Sequence, residues 1–261
     1  MMRSSQRTGG TAIRRLRHVA LMTLAGLLFF PVASGVSQEK PAVSQEKKDA
    51  DKQDAARKPA TATVTPVYRP PIRGAPGGRV GGGTRGTARE VFVLSVLAPD
   101  HSGLTVAEQP SLFWYISTPT SLPVELTVMD PRTTQPLLEI GVATPIEPGI
   151  QRLRLADHGI RLAPDVPYRW YVAVVPDSGR RSRDILAGGA IQRINPSGEL
   201  VARLGQARRD ELPSVYAEAG LWYDALAAMS DLIDGAPDNA ALRQQRAALL
   251  TQIGLPLAAE R

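Results

Sequence analysis

The side chains best equipped for chemistry in this chain are two histidines, His101 in Pro-Asp-His-Ser-Gly and His158 in Ala-Asp-His-Gly. Each stands beside an aspartate, a pairing that can serve general-base work. Both runs are also made of turn formers, and an aspartate in such a run serves the backbone of its own turn. A nucleophile triad is assembled from partners distant in sequence, and two isolated histidines do not complete a three-histidine metal site. The third histidine, His18, falls in a basic N-terminal segment, and the chain has no cysteine. Thiolate nucleophiles, thiolate metal sites, disulfides and a lipidated N-terminal cysteine are thereby excluded. No catalytic residue, metal ligand or cofactor is expected; a hydrolase would have to act through His101 and His158.

Two phosphate-binding spacings are approached and missed. Gly81-x-Gly83-x-x-Gly86 has the dinucleotide spacing, but a Pro/Gly-rich stretch precedes it where a strand is needed. The apolar run Val91-Phe92-Val93-Leu94 follows where a helix is needed. Gly78 to Gly83 is followed by Thr84-Arg85 and so lacks the lysine of a nucleotide loop. What remains is a set of arginines among glycines: Arg73, Arg79, Arg85 and Arg89. They form a plain lead-in, or their guanidinium groups hold an anion or dock on the acidic domain that follows. A second set, Arg180, Arg181 and Arg183, lies in the polar loop 176–184, again either a solvated turn or a docking loop. Trp222 and Tyr223 open an apolar helix and are the aromatic candidates for a protein contact. Trp222 lies on the apolar stripe of that helix, so Tyr223 is the better surface candidate.

The elements that must position these residues follow from composition. The net charge of +6 reflects five arginines within the first 17 residues. From Arg89 onward 16 arginines face 20 acidic residues, so the basic balance marks no nucleic-acid surface. Arg14, Arg15 and Arg17 precede an apolar stretch over 19–33, closed by Ala33-Ser34-Gly35. That order predicts a signal peptide over 1–35 and an exported, periplasmic or secreted protein. The stretch is shorter than the ~20 residues that span a bilayer. An uncleaved N-terminal anchor is the lesser alternative, and no membrane span is expected after cleavage. Residues 36–68 hold all five lysines and the repeated word Val-Ser-Gln-Glu-Lys, which predicts a disordered tether. The Gly/Arg-rich segment then covers 69–87.

Between 88 and 195, short apolar runs recur between Pro, Gly and Asp turns: 91–98, 112–118, 124–129, 137–142, 151–155, 168–175 and 185–194. Val124, Leu126 and Val128 alternate cleanly, as do Tyr168, Trp170, Val172 and Val174. Short strands at this spacing without intervening helices predict an antiparallel β-sandwich, immunoglobulin or fibronectin type III-like. Trp114 and Trp170 are the expected core plugs. After Pro196 the period changes, and helices are expected over 199–204, 212–219, 221–233 and 239–253. The expected class is therefore mainly β plus α, with a small helical tail over 196–261.

Tyr216, Gly220, Trp222, Ala225, Pro237 and Asn239 are spaced so that this tail resembles a tetratricopeptide repeat; Pro213 departs from the pattern in the first helix. The resemblance implies protein binding and a second surface against which the lone repeat stacks. The chain carries, in order, Gly74 to Gly86, Leu112-Phe-Trp-Tyr-Ile116, Glu147-Pro-Gly-Ile150, Tyr168-Arg-Trp170, Arg181-Ser-Arg-Asp184 and Gly220-Leu-Trp-Tyr-Asp-Ala-Leu226. With these words the chain resembles, over roughly 70–255, one family of exported bacterial proteins, number 928 among the domains of unknown function. The expected role is a non-catalytic adaptor or scaffold that binds another envelope protein, with self-association through the tail as a further outcome. The alternative is a module binding an anionic small molecule or cell-wall polymer through its arginine loops; no nucleic acid is expected.

Overall fold

The computed structural model describes residues 65–71, 79–81, 84–85 and 92–255, the pair 84–85 by its backbone. The expected signal peptide, tether residues 36–64, and Arg73 and Arg89 lie outside the described residues, as does the Arg85 side chain.

Strands follow in the order β1 (Thr84–Arg85), β2 (Phe92–Val96), β3 (Gly103–Thr105), β4 (Ser111–Ile116), β5 (Val124–Met129), β6 (Pro136–Val142), β7 (Gly149–Arg154), β8 (Pro167–Val174) and β9 (Ile185–Arg193). Among the described residues they make two sheets, ordered β1-β2-β4-β7 and β3-β9-β8-β5-β6. The strand positions follow the sequence periodicity. In β5 the inward set Val124, Leu126 and Val128 is buried while Glu125, Thr127 and Met129 are half-buried, the period of a sheet with one face on the core. All six residues of β4 are buried, so that strand is covered on both faces. Trp170 and Trp114 are buried core residues, as expected.

One pairing departs from the expected antiparallel pattern. β3 runs parallel to β9, with Gly103 opposite Ile191 and Thr105 opposite Arg193. Its three residues fall in a stretch that reads as a turn, because a strand so short shows no period of its own. The other strand pairs within the sheets are antiparallel.

Among the described residues, four helices complete a mixed β plus α fold: α1 (Gly198–Gln206), α2 (Leu212–Glu218), α3 (Trp222–Gly235) and α4 (Ala240–Thr251). Their ends obey local rules. The Ser197 hydroxyl accepts from the Leu200 amide at 3.2 Å, and the Asn239 side chain accepts from the amides of Ala241 and Leu242, occupying donors that a helix start leaves free. α2 packs on α3, α3 on α4, and α3 also lies against β3 and β4. Ala217, Trp222, Tyr223, Ala225, Leu226, Leu249 and Leu250 belong to the same apolar cluster as the strands of both sheets. The boundary at 195/196 is thus a change of secondary structure within one continuous core. Among the described residues no helix is long and apolar enough to cross a membrane.

Candidate functional site

The first turn of α3 is where sheets and helices meet, and three consecutive side chains there take three different partners. Trp222 Nε1 donates to the Leu97 carbonyl at 2.8 Å. The Tyr223 hydroxyl donates to the Ala190 carbonyl at 3.0 Å and accepts from Trp170 Nε1 at 2.9 Å. The Asp224 carboxylate accepts from the Val106 amide at 3.1 Å, with further bonds from the Thr105 hydroxyl and the Ala107 amide. Burial pushes the Asp224 carboxyl up to about 6, outweighing the bonds that favour its charged form. Burial also raises the Tyr223 hydroxyl above its ordinary value.

Trp222 and Tyr223 were expected to contribute to an exposed contact, Tyr223 above all; both are buried, at 0% and 1% exposure. The physical reason is that the first turn of α3 is enclosed on more than one side. The Tyr223 ring fills the space that a side chain at Gly103 would take, since a Cβ there would stand 2.7 Å from Cε2 of the ring. Its hydroxyl stays satisfied because the Trp170 indole and a β9 carbonyl flank it.

A stretch of chain from the far end joins this junction. Residues 65–71 lie along the helices, with Pro66 and Tyr68 buried and Val67 and Arg69 exposed. The Tyr68 ring meets Trp222 edge-on at 5.1 Å and lies nearly parallel to the His101 ring, their centres 6.1 Å apart. Its hydroxyl lies 2.9 Å from His101 Nε2. The Gln252 side chain accepts from the Tyr68 amide at 2.8 Å and donates to the Pro66 carbonyl at 2.9 Å. The Arg69 amide donates to the Ala217 carbonyl at 3.0 Å. Residues 65–68, expected to belong to the tether, are instead held against the helices, Tyr68 seated among aromatic rings. Burial lowers the His101 pKa, opposed by neighbouring Asp100. His101 is thus a packing partner of Tyr68; His158 sits in the 3-10 turn Leu155–His158, apart from it in sequence.

Among the described arginine candidates, Arg79 and Arg181 are held by their own chain. Arg79 pairs with Asp100 at 2.9 Å and donates to the Ile253 carbonyl at 3.2 Å. Arg181 holds both Glu125 and Asp184, which raises its pKa further and lowers that of Glu125. Arg183 is exposed in the 3-10 turn Arg181–Arg183. Arg152 was not singled out from the sequence. It reaches from β7 to Asp231 and Asp234 on α3, bonds the Ser111 hydroxyl at 3.0 Å and lies over the Phe113 ring at 5.3 Å. An open groove of about 210 Å³ between α2 and α3 is lined by Arg209, Leu212, Tyr216, Asp224, Ala227, Ala228 and Asp231. Among the described residues no group of three or more His, Asp or Glu side chains is placed to hold a metal ion.

No curated protein and no solved structure matches the chain. The model of one family, described as Domain of Unknown Function (DUF928), matches residues 80–261, more than half of the sequence. That match takes in both sheets, all four helices and the junction at Trp222–Asp224, and the chain belongs to the DUF928 family.

Proposed function

We propose that the chain is an exported, non-catalytic adaptor of the bacterial envelope that binds another protein through its helical tail. The observation that carries this reading is the use made of the polar and aromatic side chains. Trp222, Tyr223 and Asp224 of the tail each bond to the strand part of the same molecule, at Leu97, Ala190 and Val106. Those bonds fasten the tail to the sheets as a rigid platform, and rigidity lowers the entropy lost on binding a partner. The groove between α2 and α3, with Leu212, Ala227 and Ala228 flanked by Arg209 and Asp231, is the place on that platform suited to an apolar side chain of a partner protein.

We read the β part as an immunoglobulin or fibronectin type III-like sandwich. Strand order supports this: β2, β4 and β7 share one sheet, while β5, β8 and β9 share the other with β6 at its edge. Tyr168, near the start of β8, adds the corner bond typical of such domains, its hydroxyl accepting from the Ala163 amide at 3.1 Å. We read the tail as a single tetratricopeptide-like unit from the spacing of Tyr216, Gly220, Trp222, Ala225, Pro237 and Asn239. The anionic-ligand alternative is weakened because Arg79 and Arg181 already hold Asp100, Glu125 and Asp184. Export rests on the order of residues within 1–35.

The test is crosslinking in intact cells, comparing the wild-type tagged chain with Ala228→Arg, which fills the groove. A stoichiometric partner protein held by the wild type, and reduced at least about tenfold by the variant, is expected. Equal recovery by both, or recovery of wall fragments alone, would refute the assignment.

A further inference from the structure

Residues 65–71 are bound in the manner of a peptide ligand. They belong to neither sheet, and burial alternates along them, Pro66 and Tyr68 inward, Val67 and Arg69 outward. An extended chain read this way presents every second side chain to its host. The host reads the main chain as well. One carboxamide, that of Gln252, takes the amide of Tyr68 and the carbonyl of Pro66, clamping the two peptide groups on either side of Val67. The Ala217 carbonyl takes the next amide, that of Arg69. Side-chain selectivity comes from the Tyr68 seat, where Trp222 packs near-perpendicular to the ring and His101, nearly parallel beside it, meets the hydroxyl through Nε2.

The turn between α2 and α3 is shaped around the same segment. Gly220 has φ +75°, and a Cβ there would stand 2.8 Å from the Arg69 carbonyl oxygen. A residue with a side chain would be strained in that conformation and would also push the segment away. Host residues come from α4's end, the α2–α3 turn, α3 and the stretch before β3, so the seat is built by the folded domain and only its occupant is the N-terminal segment.

We propose that Gln252, Trp222, His101 and the Gly220 turn form a peptide-recognition site for an extended Pro-x-Tyr segment, and that residues 66–68 of the same chain are its displaceable occupant. The site is separate from the α2/α3 groove and does not rest on the adaptor reading. Occupancy in cis is favoured by the covalent link, which gives the segment a high effective concentration. A free peptide therefore competes poorly with the wild-type segment and well with a crippled one.

The experiment titrates a synthetic peptide of residues 64–71 into the full chain carrying Tyr68→Ala, followed by tryptophan fluorescence and thermal midpoint. Saturable binding with recovery of the midpoint is expected. The affinity should be at least about tenfold weaker for the wild-type chain, whose seat is filled, and for a peptide with alanine at both the Pro66 and Tyr68 positions. Absence of binding, or equal binding to wild-type and variant chains, overturns the proposal. Should Tyr68→Ala fail to fold, Tyr68→Phe takes its place, since it keeps the ring against Trp222 and loses the bond to His101. The tyrosine peptide must then bind that chain more tightly than its phenylalanine counterpart does; equal affinities overturn the proposal as well.

Discussion

Asp224 shows what burial does to a single side chain. Its carboxylate is bonded by Val106, Ala107 and Thr105, yet the cost of removing charge from water dominates and raises its pKa from 3.8 to about 6. A carboxyl whose folded pKa exceeds its unfolded value binds its proton more tightly in the native state. Its linkage therefore makes the fold more stable as pH falls from above 6 towards 4, and less stable as pH rises through 6. The full span corresponds to about 3 kcal/mol at ~1.4 kcal/mol per unit. Asp224→Asn keeps an acceptor for the Val106 amide without the charge. It should flatten that pH dependence and leave stability at pH 8 equal to or above wild type, read by urea denaturation at pH 5 and pH 8. An unchanged slope between the two pH values would show that Asp224 remains ionised throughout. None of this is legible in the sequence, where Asp224 reads as one acid in an apolar helix. Tyr223 teaches the same point, for helical spacing sets it off the main apolar stripe, and only the approach of Gly103 and Trp170 closes over it.

At the scale of elements, local signals located most of the structure because they act locally. The Asn239 cap, the alternation in β5 and β8, and the stripe of Trp222, Ala225, Leu226 and Met229 each determine conformation within a few residues. Gly220 stands in the repeat-like spacing of the sequence, but the demand on it is tertiary, since the Arg69 carbonyl lies where its side chain would be. Gly220→Ala should cost about 1–3 kcal/mol, adding backbone strain to the loss of the Tyr68 seat. Gly205→Ala is the control, at a helical position with nothing within 4 Å of the added carbon. It should be neutral or stabilising by up to ~1 kcal/mol. Thermal and urea melts of the pair decide it; equal destabilisation would mean that the segment 65–71 does not press on the turn. β3 escaped the sequence because a three-residue strand is specified by its partner, here β9, rather than by its own pattern.

At the scale of the molecule, sheets and helices depend on each other. Trp222 and Tyr223 bond across to the strand side, Arg152 ties β7 to α3, and one apolar cluster spans both parts. A chain ending after Asn195 would lose the Tyr223 partner of Trp170 and the cover over the sheet residues beneath α3. It should lack native near-ultraviolet circular dichroism and a cooperative thermal transition. A truncated chain that melts cooperatively with a native-like spectrum would show instead that the sheets hold a sufficient core by themselves. The sequence by itself determined where the helices and the strands other than β1 and β3 lie, how α4 is capped, and that cysteine chemistry is excluded. These properties depend on residue type and on spacings of two to four positions. Tertiary structure alone decided that Tyr223 is inside, that Arg79 and Arg181 are paired, and that Tyr68 has a seat. The bonds responsible join residues such as Tyr68 and Gln252, 184 positions apart, and a side chain's burial is set by whatever the fold brings over it.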